Sequence, residues 1–144
     1  MAAASPRRMI SQVHCLVLVL DDHDDTREMY ATFLTHDGHF TVESNVAPTE
    51  AFDWVRTSQP DVVVTDYRMP GLDGLEFCQQ LAAHPDTRDV PRIMLTGITS
   101  EAELAPLRHL CAAVLIKPVF PADLIVEIYR VTDYECGPSS AVRS

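Results

Sequence analysis

Short oily runs alternate along this chain with longer stretches in which apolar positions recur at helical spacing. The first run, CLVLVLDD (15–22), is continuously apolar until it ends on two Asp, the pattern of a strand covered on both faces. DDTREMYATFLTH (24–36) has apolar residues at 29, 30, 33 and 34, a helical period, with Asp24 or Asp25 able to cap its start. HDGH marks a turn. FTVESNV (40–46) reads as a second strand, more polar and so nearer a sheet edge. PTEAFDWVRTSQ (48–59) reads as a helix with Pro48 in its first turn.

The alternation continues. DVVVTD (61–66) is a third apolar strand, and GLEFCQQLAAH (74–84) carries a helical face at 75, 77, 78, 81 and 82. VPRIMLTG (90–97) is a fourth strand. SEAELAPLRHL (100–110) opens with the capping-box spacing of Ser100 and Glu103, and Pro106 is expected to shorten or bend that helix. AAVLIK (112–117) is a fifth strand, and PADLIVEIYRVTDY (121–134) a final amphipathic helix. Residues 1–13 read as a flexible arm and 135–144 as a short tail, with one domain, 14–134, between them. Alternating strands and helices with oily strands predict an α/β fold: a doubly wound, five-stranded parallel sheet flanked by five helices.

Composition narrows the function. A net charge of −10 argues against nucleic-acid binding by this chain alone. The cysteines Cys15, Cys78, Cys111 and Cys136 show no CxxC spacing. Three of them lie in apolar segments, as buried thiols of a reducing cytoplasm do. The His residues lack an HxxxH or HExxH pattern. The apolar run after the N-terminal Arg pair is too short for a signal peptide or a membrane span. The chain therefore reads as cytoplasmic.

In open α/β sheets the ligand site lies beyond the carboxyl ends of the strands. Those ends hold Asp21 and Asp22, then Asp66, Thr96 and Lys117, the last being the only Lys in the chain. Each alone has a plain explanation, such as a helix cap or turn chemistry. Together, three carboxylates converging on one crevice call for a counterion, and Mg²⁺ takes such oxygen ligands while leaving room for a phosphate. A Lys point charge and a Thr hydroxyl complete a site for a phosphoryl group transferred to a carboxylate nucleophile.

The motifs VLDDHDDTR, VVVTDYRMPGLDG, IMLTG and VLIKP resemble those of receiver domains of two-component response regulators. The resemblance covers about residues 14–134. It implies a flavodoxin-like strand order 2-1-3-4-5. It further implies Asp66 as phosphoacceptor, Asp22 as a direct Mg²⁺ ligand, Asp21 acting largely through water, and the Arg68 backbone carbonyl as a third protein ligand. Thr96 and Lys117 would contact the phosphoryl oxygens, and the Lys117–Pro118 bond is expected to be cis. The implied partners are a histidine kinase or phosphotransfer protein and an unspecified downstream protein, with a homodimer left open and no membrane contact. Turnover would be limited to Mg²⁺-dependent phosphorylation and dephosphorylation of the chain itself.

Several positions depart from the family pattern. Val114 stands where an aromatic switch residue is usual, Leu110 and Cys111 replace a common Gly-Ala pair, and Gly97 replaces Ala. Two other readings stay open. Asp22-x-Asp24-x-Thr26 resembles the nucleophile motif of haloacid-dehalogenase-type phosphatases, although Asp123, Glu127 and Asp133 after Lys117 are unpaired and fall on a helix. A degenerate receiver acting as a constitutive binding module is the second. No output segment follows the last helix, so the chain reads either as a stand-alone receiver or as a piece of a longer protein.

Overall fold

The computed structural model describes residues 14–132. The expected arm, the tail, Asp133, Cys136 and the last two residues of the final helix lie outside the described residues. Five strands form a parallel sheet: β1 (Cys15–Leu20), β2 (Phe40–Glu43), β3 (Val62–Asp66), β4 (Arg92–Thr96) and β5 (Ala113–Ile116). Their order is β2-β1-β3-β4-β5, as expected. Five helices connect or flank them: α1 (Asp24–Asp37), α2 (Ala51–Ser58), α3 (Gly74–Ala83), α4 (Glu101–Leu110) and α5 (Pro121–Thr132).

Strand alternation divides the core between the two faces of the sheet. Val17, Val19, Val62, Val64, Ile93 and Leu95 point to the side covered by α1 and α5, where Tyr30, Leu34, Leu124 and Ile128 meet them. Leu18, Leu20 and Val63 point the other way and pack against α2 and α3 through Ala51, Val55, Phe77 and Leu81. On that second side Met94 clusters with Leu104 and Leu107 of α4 and Cys78 of α3. Each such fully buried aliphatic or aromatic side chain stabilises the fold by roughly 1.5–3 kcal/mol.

Local details differ from the sequence reading in instructive ways. The N-cap of α1 is His23, in extended backbone, and Asp24 and Asp25 sit in the first turn. Carboxylates there favour the positive end of the helix dipole without capping it. β2 stops at Glu43, whose carboxylate accepts a hydrogen bond from Asn45 N at 2.9 Å and turns the chain away from the sheet. Pro48–Glu50 form a 3₁₀ turn ahead of α2. The Ser100 side chain makes no cap bond, so the capping box does not form. The expected shortening at Pro106 does not occur, because α4 runs through it to Leu110. Both Pro106 and Ala102, whose carbonyl loses its partner, face solvent, where water can satisfy that oxygen.

Candidate functional site

Strand register sets the site. Leu20 pairs with Thr65, so Asp21 continues level with Asp66, the last residue of β3. Asp66 pairs with Leu95, which places Thr96 one step further out. Thr96 pairs with Ile116, which brings Lys117 just beyond. The carboxyl ends of β1, β3, β4 and β5 thus deliver the expected residues to one edge of the sheet. Asp22, His23, Asp66, Arg68, Thr96 and Lys117 line an open cleft of about 440 Å³ there.

Lys117 Nζ lies 2.8 Å from Asp66 Oδ1, with side-chain exposures of 33% and 9%. Tyr67 N donates to the same oxygen at 2.9 Å. Burial pulls the Lys117 pKa down, but the hydrogen bond and charge of Asp66, with further help from Asp21, outweigh it and leave the ammonium above its ordinary value. The lysine is therefore held charged beside the carboxylate. Lys117 N also donates to Thr96 O at 2.8 Å, and the Lys117–Pro118 peptide bond is cis, as expected. Thr96, buried, accepts from Ile98 N at 3.0 Å through its hydroxyl oxygen.

Asp21 Oδ1 accepts from His23 N at 2.9 Å, while Oδ2 is buried and finds no hydrogen-bond partner among the described residues. A bare buried carboxylate oxygen is costly. Oxygens of Asp21, Asp22 and Asp66 and a ring nitrogen of His23 all lie within 4.8 Å of one another. This mostly oxygen donor set, with an orphaned acceptor at its floor, fits a hard divalent cation.

The loop after Asp66 is better ordered than a loop reading suggests. Arg68–Met69 and Leu72–Asp73 pair as a two-rung antiparallel hairpin. Pro70 and Gly71 make its turn, with Gly71 at φ 81°, the conformation a type II turn requires at that position. Asp73 then caps α3 by accepting from Leu75 N at 2.7 Å and Glu76 N at 3.4 Å. Gly74 has to be a glycine: a Cβ there would stand 2.6 Å from Asp66 O and 2.8 Å from Tyr67 O. Close backbone contact between α3 and the end of β3 fixes the position of Asp66.

Two residues of the site are missing from the sequence reading. His23 brings Nδ1 within 3.3 Å of Asp22 Oδ1 and 3.4 Å of Asp21 Oδ1, and its only signal is adjacency to the Asp pair. Tyr30, counted above as part of an apolar helix face, donates its hydroxyl to Val119 O at 2.7 Å, tying α1 to the segment after Lys117. Val114 sits half-buried on β5 against the cluster of Cys78, Met94, Leu104 and Leu107. No described helix is long and apolar enough to cross a membrane.

Comparison with known proteins agrees with this geometry. A family profile for the response regulator receiver domain matches residues 17–129. Response regulator MprA of a Mycobacterium species is 36% identical over 128 residues, covering 86% of this chain and 54% of that protein. Response regulator Rre1 of a Synechocystis species is 33% identical over 110 residues, covering 75% of this chain and 47% of the relative. The chain thus spans about half the length of these relatives. The structure of the chemotaxis response regulator CheY4 of Vibrio cholerae superposes with a TM-score of 0.74 at 28% identity, covering 82% of this chain and 98% of that one. With sheet order, strand-end chemistry and sequence in agreement, the chain belongs to the receiver-domain family of two-component response regulators.

Proposed function

We propose that Asp66 is the phosphoacceptor of this receiver, accepting a phosphoryl group from a histidine kinase or phosphotransfer protein in the presence of Mg²⁺. The observation that carries the reading is the buried Asp66 carboxylate held 2.8 Å from the chain's single Lys at the centre of an acidic cleft. Asp22 and Asp66, with the Arg68 carbonyl, would hold the cation, and Asp21 would act on it largely through water. When bound, the cation would supply charge neutralisation for the phosphoryl oxygens and the acidic cluster.

The chain's own groups do the rest. Asp66 contributes the oxygen that forms the new P–O bond as the bond from phosphorus to the donor nitrogen breaks. Lys117 is fixed beside Asp66 by the strand register and offers its charge to a phosphoryl oxygen. Thr96 contributes its hydroxyl, whose oxygen now only accepts from Ile98 N. Its proton is available to an incoming oxygen. The phosphatase alternative has less support. Asp123 and Glu127 lie on α5, and Glu127 is paired with Arg130 at 2.7 Å, so among the described residues these acids form no second acidic pair beside Lys117. We place the protein in the cytoplasm, and take residues 14–134 as the receiver unit, on the same reading.

Labelling by acetyl phosphate with Mg²⁺ tests the assignment. One phosphoryl group per chain is expected on the wild type and none on Asp66→Asn, with the fold of the variant checked by circular dichroism. Full labelling of a folded Asp66→Asn protein refutes it. Absence of label on the wild type, with the site residues present, favours the constitutive binding module instead.

A further inference from the structure

Cys78 and Cys111 are 33 residues apart in sequence, yet their sulfurs lie 3.7 Å from each other. Cys78 is fully buried in α3, and Cys111 is half-buried at the C-cap of α4, just before β5. They meet on the α4 side of the sheet, beside Met94, Leu104 and Leu107. Cys111 stands at one of the positions where the sequence departs from the receiver pattern, and the phosphoryl chemistry makes no use of either thiol.

We propose that Cys78 and Cys111 are a peroxide-sensitive dithiol that closes to a disulfide, tying α3 to the junction between α4 and β5. Three observations converge on it. First, the sulfurs are already in contact, so bonding shortens the separation from 3.7 Å to the usual ~2.05 Å without bringing distant segments together. Second, the two thiols differ in the way an attacking and a resolving cysteine differ. The shared hydrogen bond with Cys78 draws Cys111 below the ordinary thiol value, with burial resisting and the Arg92 charge assisting. The same hydrogen bond, with burial, pushes Cys78 up and keeps its proton. Third, the positive charge is fixed in place. Arg92 Nε donates to Leu110 O at 2.8 Å, which anchors the guanidinium beside the residue preceding Cys111. Thiolate character and partial exposure on one member of a pair are what select a cysteine for oxidation.

The chemistry balances with a hydroperoxide as oxidant. The Cys111 thiolate attacks the terminal peroxide oxygen, an S–O bond forms, the O–O bond breaks, and the leaving oxygen departs as water or alcohol after taking a proton. Cys78 then gives up its proton and attacks the Cys111 sulfur. The S–S bond forms, the S–O bond breaks, and the hydroxide takes that proton and leaves as water. Two thiols are oxidised by two electrons and one peroxide is reduced. The crosslink stands on the thiol geometry alone, independent of the phosphoacceptor assignment. Its consequence is mechanical: the end of α4 becomes bound to a helix that starts at the Asp66 loop.

The test is peptide mapping of the intact protein after treatment with hydrogen peroxide, without reductant. Trypsin places Cys15, Cys78, Cys111 and Cys136 in separate peptides, so each linkage is distinguishable. The expected product joins the Cys78 and Cys111 peptides, and two of the four thiols are lost to maleimide titration of the unfolded chain. Cys78→Ala removes the resolving thiol together with the hydrogen bond that lowers Cys111, so it should form no link and should yield, more slowly than the wild type is oxidised, a sulfenic acid at Cys111 that dimedone traps; Cys111→Ser should lose the crosslink. The wild-type map decides the matter even where a variant fails to fold. Overoxidation of Cys111 with no link, a first link through Cys15 or Cys136, or four unreacted thiols at peroxide levels that oxidise free cysteine would each overturn the proposal.

Discussion

Replacing Asp21 with Asn should make the cation-free protein more stable. Asp21 is buried to 5% exposure, and its Oδ2 has no partner among the described residues. Carboxylate oxygens of Asp22 and Asp66 lie within 4.8 Å. At an effective dielectric constant near 20, a pair of like charges 4.8 Å apart repels by about 3.5 kcal/mol before relaxation and screening. The compensating ammonium of Lys117 sits on Asp66. Asn retains an acceptor for His23 N and turns the orphaned oxygen into an amide donor among acceptors. Relief of the repulsion and of the unpaired atom should together be worth ~1–3 kcal/mol after relaxation and screening. For a domain of this size that is a rise in melting temperature of roughly 4–12 °C.

The assay is thermal unfolding at neutral pH in EDTA, repeated across a Mg²⁺ titration. Wild type should gain about 2.7 kcal/mol at 100 times the dissociation constant. The Asn variant, having lost one of the charges that attract the cation, should gain less at equal Mg²⁺, so the advantage narrows or reverses. Asp22→Asn should raise the metal-free stability less, because the Asp22 side chain is 29% exposed against 2% for Asp21. A lower melting temperature for Asp21→Asn in EDTA refutes the repulsion argument. An equal Mg²⁺ increment in both proteins removes Asp21 from the cation's surroundings.

Three other outcomes follow from the geometry. Gly74→Ala should cost ~1–3 kcal/mol by urea unfolding and slow labelling by acetyl phosphate, since its Cβ meets two carbonyl oxygens at the end of β3; wild-type behaviour in both would show that α3 shifts freely. Tyr30→Phe should lose ~0.5–1.5 kcal/mol at pH 7.5 with the bond to Val119 O. Burial raises the Tyr30 pKa against the Lys117 charge, so its contribution is present below the ordinary 10.0 and lost as pH climbs through the folded value; a gap between Tyr30→Phe and wild type that does not shrink on the alkaline side contradicts this. On adding beryllofluoride, amide exchange should change most in 97–100, 118–121 and the first turn of α4, and a dominant change at 112–116 would contradict it.

The parts of the structure legible in the sequence were those written by neighbours in the chain. Strands buried on both faces leave continuous apolar runs, and a run that ends abruptly in Asp or Lys marks a strand end. Tertiary partners leave no such trace. Nothing in the spacing of Cys78 and Cys111 says that α3 and the end of α4 bring them together. His23 joins the carboxylates only because the turn after β1 folds its ring back over them. The hairpin at Arg68–Asp73 is too short to show an alternating pattern, although Pro70-Gly71 announced its turn. Ser100 and Glu103 had the right spacing for a capping box, but spacing does not choose between competing partners.

The intact α4 changes how motion can leave the site. A helix broken at Pro106 would end transmission after its first turn. As built, α4 is continuous from Ser100, which follows the Thr96 loop, to Cys111, which leads into β5. Leu104 and Leu107 anchor it against Met94, and Val114 packs into the same cluster. If Thr96 binds the phosphoryl group as proposed, a pull on it would have two outlets: local rearrangement of 97–100, or displacement of the whole helix across the Met94 contact. Val114 has no ring to fill the space that a displacement of Thr96 would open, and its branched side chain is stiff. It therefore offers no second conformation for the phosphorylated state to favour, and a ligand shifts an equilibrium only through contacts that differ between states. The loop rearrangement then remains the cheaper response, because it leaves the packing of Leu104, Leu107 and Val114 unbroken. The Cys78–Cys111 contact lies at the far end of α4, where whole-helix displacement would be felt and loop rearrangement would not. A crosslink there should leave the beryllofluoride response of 97–100 unchanged if the loop carries the signal, and suppress it if the helix moves as a body.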